Sequence, residues 1–178
     1  MTTLPRILAV LLFGATLFGI SGCDVTSSNP VYDNGVRTQE FTPRSTDFFV
    51  NESSDIAWYE WTTNLLTPAV VDRGMVLLYA RGDLVIIGED NTWTALPFTQ
   101  GIEPADGGAY VDFTITYTYA FDVDLLYLSV ISSAVGLVDE YIPSGIPFRL
   151  VTIPPGTHME GINLTQYSDV AAAFNLEQ

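Results

Sequence analysis

Lysine is absent from the 178 residues, histidine and cysteine occur once each, and arginine, present six times, is the only other basic residue. Each shortage excludes something. Phosphate backbones are held by clustered Lys and Arg that release counterions, so a chain with 21 Asp and Glu and a formal charge of −15 has no nucleic acid among its expected partners. The single cysteine, Cys23, rules out a disulfide framework within one subunit. The single histidine, His158, lies in a Gly/Pro-flanked loop and rules out a multi-histidine metal site. Any Ser-His-Asp arrangement would depend on it alone. The G-x-S-x-G, H-E-x-x-H, Walker A and dinucleotide-binding patterns are missing too, so no catalytic residue is assigned and a non-enzymatic protein is expected.

What is present is apolar. Hydrophobic residues make up 48% of the chain and the mean hydropathy is +0.27, whereas disorder requires low hydrophobicity together with high charge. The length suits one signal segment and one domain.

The first segment is residues 1–22. Arg6 precedes an apolar run from Ile7 to Ile20, followed by Ser21, Gly22 and Cys23. A basic start, a short apolar core and small residues before a cleavage point compose a secretory signal peptide. A membrane span would need about 20 apolar residues. Ile20-Ser21-Gly22-Cys23 resembles the lipobox of bacterial lipoproteins, in which the peptidase cuts before the cysteine and the thiol carries lipid. The resemblance implies a diacylglyceryl and N-acyl modification on Cys23, recognition through Ile20, Ser21 and Gly22, and anchoring to the cell envelope. Asp24 resembles the inner-membrane retention signal of enteric bacteria, a rule other lineages do not follow. The outer membrane is the expected destination, with the leaflet left open.

Removing residues 1–22 takes Arg6 with it and leaves a formal charge of −16 on 156 residues. Asp outnumbers Glu, 13 to 8. This balance, without lysine, resembles proteins of salt-loving bacteria, where high ionic strength shortens the Debye length to about 3 Å at 1 M and screens self-repulsion.

Residues 23–37 are rich in Ser, Asn, Asp and Pro and read as a lipidated N-terminus and tether, leaving residues 38–178 as one domain. Short β-like runs then alternate with turns. Thr46–Val50 is weak. Ile56–Thr63 places Ile56 and Trp58 on one face and Tyr59 and Trp61 on the other. Thr67, Pro68 and Gly74 mark the cap, first turn and left-handed exit of a short helix at 67–73. Met75–Ala80, apolar on both faces, reads as a central strand. Leu84–Ile87 and Trp93–Phe98 flank a Gly-Glu-Asp-Asn turn and read as a hairpin. In Ala109–Tyr119 the odd positions Ala109, Val111, Phe113, Ile115, Tyr117 and Tyr119 form a core face, while Tyr110, Asp112, Thr114, Thr116 and Thr118 form a wet one. Leu125–Ser132 fits a strand or a buried helix, and Phe148–Ile153 is a last strand. Leu164, Tyr167, Val170, Ala171 and Phe174 recur at helical spacing behind a candidate cap pair, Asn163 and Gln166. Seven or so strands predict an antiparallel immunoglobulin-like β-sandwich with one short helix in the middle and another at the C-terminus.

The stretch from residue 56 to 175 resembles a loosely defined set of uncharacterised exported bacterial β-sandwich proteins. The likeness is carried by Asp72-Arg-Gly74-Met-Val76-Leu-Leu-Tyr79, Trp93-Thr-Ala-Leu96-Pro97-Phe98-Thr99, Tyr117-Thr-Tyr119 and Phe148-Arg149-Leu-Val151-Thr-Ile153-Pro154. It implies a fold and no activity.

Two constellations remain as binding candidates. Asp122 and Asp124, one residue apart in a turn, could place two hard oxygens toward a calcium ion, with Asp139 and Glu140 as a second cluster. The EF-hand pattern is absent, and a solvated hairpin turn is the ordinary account of the same pair. The second candidate is a ligand face formed by Tyr110, Asp112, Thr114 and Thr116. Separately, Trp58, Tyr59, Trp61, Trp93 and Tyr141 are candidates for sugar-stacking platforms or protein anchors, while core residues of a β domain are the ordinary account of most of them. The expected role is therefore a structural or protein-interaction module of the envelope; the alternative is a carbohydrate-binding lipoprotein. No cofactor is expected beyond the calcium candidate.

Overall fold

A computed structural model describes residues 35–51, 55–82, 92–103 and 111–177. The segments read as signal peptide and most of the tether, the strand Leu84–Ile87 with its turn, and Ala109 and Tyr110 lie outside the described residues.

The chain folds as an antiparallel β-sandwich. Its elements are β1 (Arg37–Phe41), β2 (Phe49–Asn51), β3 (Ile56–Thr62), α1 (Pro68–Arg73), β4 (Met75–Arg81), β5 (Trp93–Ala95), β6 (Phe98–Ile102), β7 (Phe113–Asp122), β8 (Leu125–Ser132), β9 (Phe148–Ile153) and α2 (Tyr167–Phe174). One sheet has the order β1-β9-β4-β5, the other β2-β3-β8-β7-β6. Leu125–Ser132 is thus a strand, its alternate residues Leu126, Leu128 and Val130 buried.

The inward faces meet in one core. Val76, Leu78 and Ala80 of β4 and Phe148 and Leu150 of β9 pack with Ala57, Ile115, Tyr117, Leu126, Leu128 and Val130 from the other sheet. Phe41 extends it, its ring stacked 4.2 Å from Trp61. The opposite face of β4 and β9 is buried as well. Tyr79, Val151 and Ile153 pack against Tyr167, Val170, Ala171 and Phe174 of α2, which explains why β4 reads as apolar on both sides. Helical spacing put those four α2 residues on one stripe, and they are the four that α2 buries.

Several local expectations are corrected. The domain starts earlier than residue 38: Val36 is fully buried and Arg37 already pairs with Thr152. Trp93–Phe98 is two strands rather than one. Trp93–Ala95 pairs with β4 and Phe98–Ile102 with β7, so the chain changes sheets at Leu96-Pro97, whose peptide bond is cis. Thr67 does cap α1, its hydroxyl accepting from the Val70 N–H, but Gly74 leaves the helix extended (φ −89°, ψ −159°) instead of left-handed. Glycine is required there by space, because a Cβ would stand 2.5 Å from the Ile153 carbonyl oxygen. Asn163 and Gln166 form no cap pair. The Asn163 carboxamide closes a turn ahead of the helix by accepting from Thr165, and Gln166 occupies the cap position without a side-chain bond. On β7, Ile115 and Tyr117 are buried as expected, Phe113 is only half-buried, and Val111, expected in the core, is 58% exposed ahead of the strand.

Candidate functional site

Side chains alternate across a strand, so the five-stranded sheet that buries one face presents the other. The outward set includes Phe49 and Asn51 on β2, Ile56, Trp58 and Glu60 on β3, Tyr127, Ser129 and Ile131 on β8, Thr114, Thr116 and Thr118 on β7, and Thr99 on β6; all are half-buried or exposed. Among the described residues, no helix covers this face as α2 covers the other sheet.

Register places these residues in rows. Phe49 pairs with Trp58, Trp58 with Ser129, and Ser129 with Thr118, making a line across four strands. Beside it run Asn51, Ile56, Ile131, Thr116 and Thr99. On the other side Glu60 pairs with Tyr127 and Tyr127 with Ala120. Phe49 stacks on Trp58 at 5.7 Å, and the indole N–H of Trp58 donates to Glu60 Oε1 at 3.3 Å. The hydroxyls of Thr99 and Thr116 are 2.9 Å apart. The aromatic end of the first row is therefore fixed by packing and one hydrogen bond, and its other end is hydroxylated.

Charge is distributed unevenly between the sheets. The five arginines beyond Cys23 are Arg37 on β1, Arg44 in the following loop, Arg73 on α1, Arg81 on β4 and Arg149 on β9. The strands of the five-stranded sheet carry none, and their ionisable acids are Glu60 and Asp122.

Of the predicted ligand face, Thr114 and Thr116 share the open side of β7. Asp112 is exposed just before the strand, its backbone N–H bonded to the Ile102 carbonyl. Tyr110 lies outside the described residues. Of the aromatic candidates, Trp58 is on the open face. Tyr59 and Trp61 pack against the core, as their opposite parity required. Trp93 lies beside Arg149 and Tyr167 under α2. Tyr141 meets Phe113 edge-on. Sequence reasoning did not assemble the row from Phe49 to Thr118, since only cross-strand register joins it; the outward parity of Trp58 was its one legible sign.

The calcium pair sits in the β7–β8 turn. Asp122 Oδ1 accepts from the Val123 N–H at 2.7 Å, and Asp124 holds a left-handed conformation (φ 60°) with its backbone bonded to Leu66 and Thr63. Asp139 and Glu140 lie in a separate 3-10 turn, Val138–Tyr141. Among the described residues, no three His, Cys, Asp or Glu side chains gather where they could hold a metal ion. His158 is exposed, 3.9 Å from Glu160.

A cleft of about 420 Å³ lies at the sandwich edge, where Thr92–Pro97 meet Thr165 and Gln166. Among the described residues, the shifted titrations are phenolic. Burial pushes Tyr79, Tyr117 and Tyr119 upward, with neighbouring tyrosines adding to the first two, and burial with the charge of Asp47 raises Tyr59. Tyr117 and Tyr119 donate to the carbonyls of Tyr141 and Val76, which makes them structural ties. No helix among the described residues is long and apolar enough to cross a membrane.

No protein-family model matches the chain, and neither a curated protein nor a solved structure matches it.

Proposed function

We propose that the protein is an exported, lipid-anchored, non-enzymatic module of the cell envelope, anchored through Cys23, that holds its partner on the open face of the five-stranded sheet. The observation that supports the binding part is the row Phe49-Trp58-Ser129-Thr118, a fixed aromatic platform continuous with hydroxyls. The anchoring part rests on Ile20-Ser21-Gly22-Cys23 behind an apolar run, with the only cysteine of the chain at the position of the lipidated residue. An envelope protein as the occupant gives an interaction module; a polysaccharide gives a carbohydrate-binding lipoprotein, and the hydroxyls beside Trp58 favour that second reading. The calcium candidate gains no support from Asp122, whose carboxylate accepts from the Val123 N–H.

The test of the anchor is Cys23→Ala expressed in the native host. Precursor that stays unprocessed and lipid-free by intact mass is the expected result; lipid on the mutant, or an unmodified cysteine in the wild type, contradicts the proposal. The test of the face is a photocrosslinker at Thr118, compared with one at Asp169 on α2. Envelope material captured only from Thr118 is expected, and equal capture from both positions contradicts it.

A further inference from the structure

Resting on the reading of the open sheet face as the binding surface, we infer that its occupant is an uncharged glycan, lying along the row from Trp58 to Thr118. Three observations point to that chemistry.

The first is shape and composition. A sugar ring has apolar C–H faces and a rim of hydroxyls, so it is bound by an aromatic plane beside donors and acceptors in the plane of the surface. Trp58, backed by Phe49, supplies the plane, and Ser129 and Thr118 follow on the next two strands. Strands stand about 4.8 Å apart, so Thr118, two strands from Trp58, lies roughly 10 Å along the row, a span suited to a short run of rings rather than to one. Protein-binding patches, by contrast, are depleted in serine and concentrate their apolar residues at the centre. Here the aromatic pair lies toward the β2 edge, the central strand β8 presents Ser129 between Tyr127 and Ile131, and β7 beyond it presents Thr114, Thr116 and Thr118.

The second is fixation. The Trp58 N–H is already bonded to Glu60, and the ring is stacked from the side by Phe49. A side chain held before the ligand arrives loses little freedom on binding.

The third is charge. The five strands carry no basic residue, and the chain is strongly acidic, so a uronate, sulfated or phosphorylated polymer would meet repulsion with no counter-charge on the face. Only Glu60 and Asp122 are acidic there, and Glu60 already accepts a hydrogen bond from Trp58, which gives a polycation little to grip. An uncharged chain suits this surface best.

The experiment uses the full-length protein in a neutral detergent and a panel of hexasaccharides: β-1,4-glucose, α-1,4-glucose, N-acetylglucosamine, mannose and, as the anionic control, galacturonate. Binding is read by saturation-transfer NMR and by tryptophan fluorescence. At least one neutral hexasaccharide is expected to bind, Trp58→Ala to weaken it at least tenfold, Thr118→Val to weaken it several-fold, and galacturonate to stay unbound from 0.01 to 1 M NaCl. Near-UV circular dichroism confirms that each variant is folded, and the outward Thr118→Val supplies the result should Trp58→Ala misfold. Failure of every neutral sugar at millimolar concentration, binding that survives both substitutions, or preference for galacturonate overturns the inference. A protein captured by the Thr118 crosslinker alongside failure of every sugar overturns the glycan while leaving the open-face reading intact; capture of nothing from that face overturns both.

Discussion

The guanidinium carbon of Arg149 lies 4.3 Å from the centre of the Trp93 indole, joining β9 to β5 across the intervening strand β4. Tyr167 of α2 is 4.6 Å away, Glu40 of β1 accepts hydrogen bonds from Nε and Nη2, and Nη1 donates to the Glu177 carbonyl. One buried cation thus gathers two strands, the C-terminal helix and the tail that follows it. Arg149→Ala is expected to cost about 2–3 kcal/mol, because it removes charge-assisted hydrogen bonds and ring packing together. Glu40, whose side chain is 45% exposed, is worth less, and Glu40→Gln is expected to cost under about 1 kcal/mol. Urea unfolding midpoints give the comparison, and equal costs would place the value in the ion pair alone.

Along β7, Ile115→Ala should cost about 2–5 kcal/mol as a buried cavity, and Thr116→Ala about 0.5 kcal/mol or less. Phe113 is half-buried, so Phe113→Ala should fall between them. The same unfolding measurement orders the three.

Gly74→Ala forces a methyl against the Ile153 carbonyl, 2.5 Å away, and against the Val70 backbone. A loss of about 1–3 kcal/mol is expected, as for other overpacked sites. Gly156 is the useful contrast: its φ of +83° strains an alanine, but open space surrounds it. Urea unfolding midpoints of the two variants give the comparison, and a Gly74→Ala cost no larger than that of Gly156→Ala would contradict the steric account.

The buried phenols define an alkaline limit. Tyr79, Tyr117 and Tyr119 titrate above the ordinary value of 10 in the folded state, chiefly through burial. Unfolded chains release those protons first. Stability is therefore full below about pH 10 and falls as pH rises toward the folded values, at up to about 1.4 kcal/mol per pH unit for each tyrosine. Tyr117→Phe removes one such contribution and should flatten the decline, as read from unfolding midpoints between pH 9 and 12.

Salt should act in the opposite direction. At 0.01 M the Debye length is about 30 Å, so carboxylates across the domain repel one another, and the repulsion is screened by 1 M. The thermal midpoint is expected to rise with NaCl. A flat response would assign the acidity to solubility instead of to a saline setting.

Strands whose pattern is local were legible. Phe148–Ile153 and the apolar core of β4 followed from composition and flanking turns, and α1 from Thr67 and Pro68. The change of sheets at Leu96-Pro97 was not, because periodicity describes a strand without naming its neighbour. Val111 continued the alternation of β7 yet lies outside it, since pairing with β6 begins at Phe113. The same limit hid the candidate site: Thr114 and Thr116 could be assigned an outward face, but Phe49, Trp58, Ser129 and Thr118 become one row only through register.

The entry of the chain into the sandwich also has a mechanical meaning. β1 lies at the edge of its sheet and starts at Arg37, so tension from the proposed anchor at Cys23 would enter along the axis of that strand. A load applied that way shears β1 against β9, and the five register pairs from Arg37–Thr152 to Phe41–Phe148 bear it together instead of opening one after another. Glu40, one residue from the far end of the strand, is riveted to Arg149 and through it to the C-terminal tail. Under tension from such an anchor the sandwich would thus resist opening at β1, because its five pairs with β9 must break together.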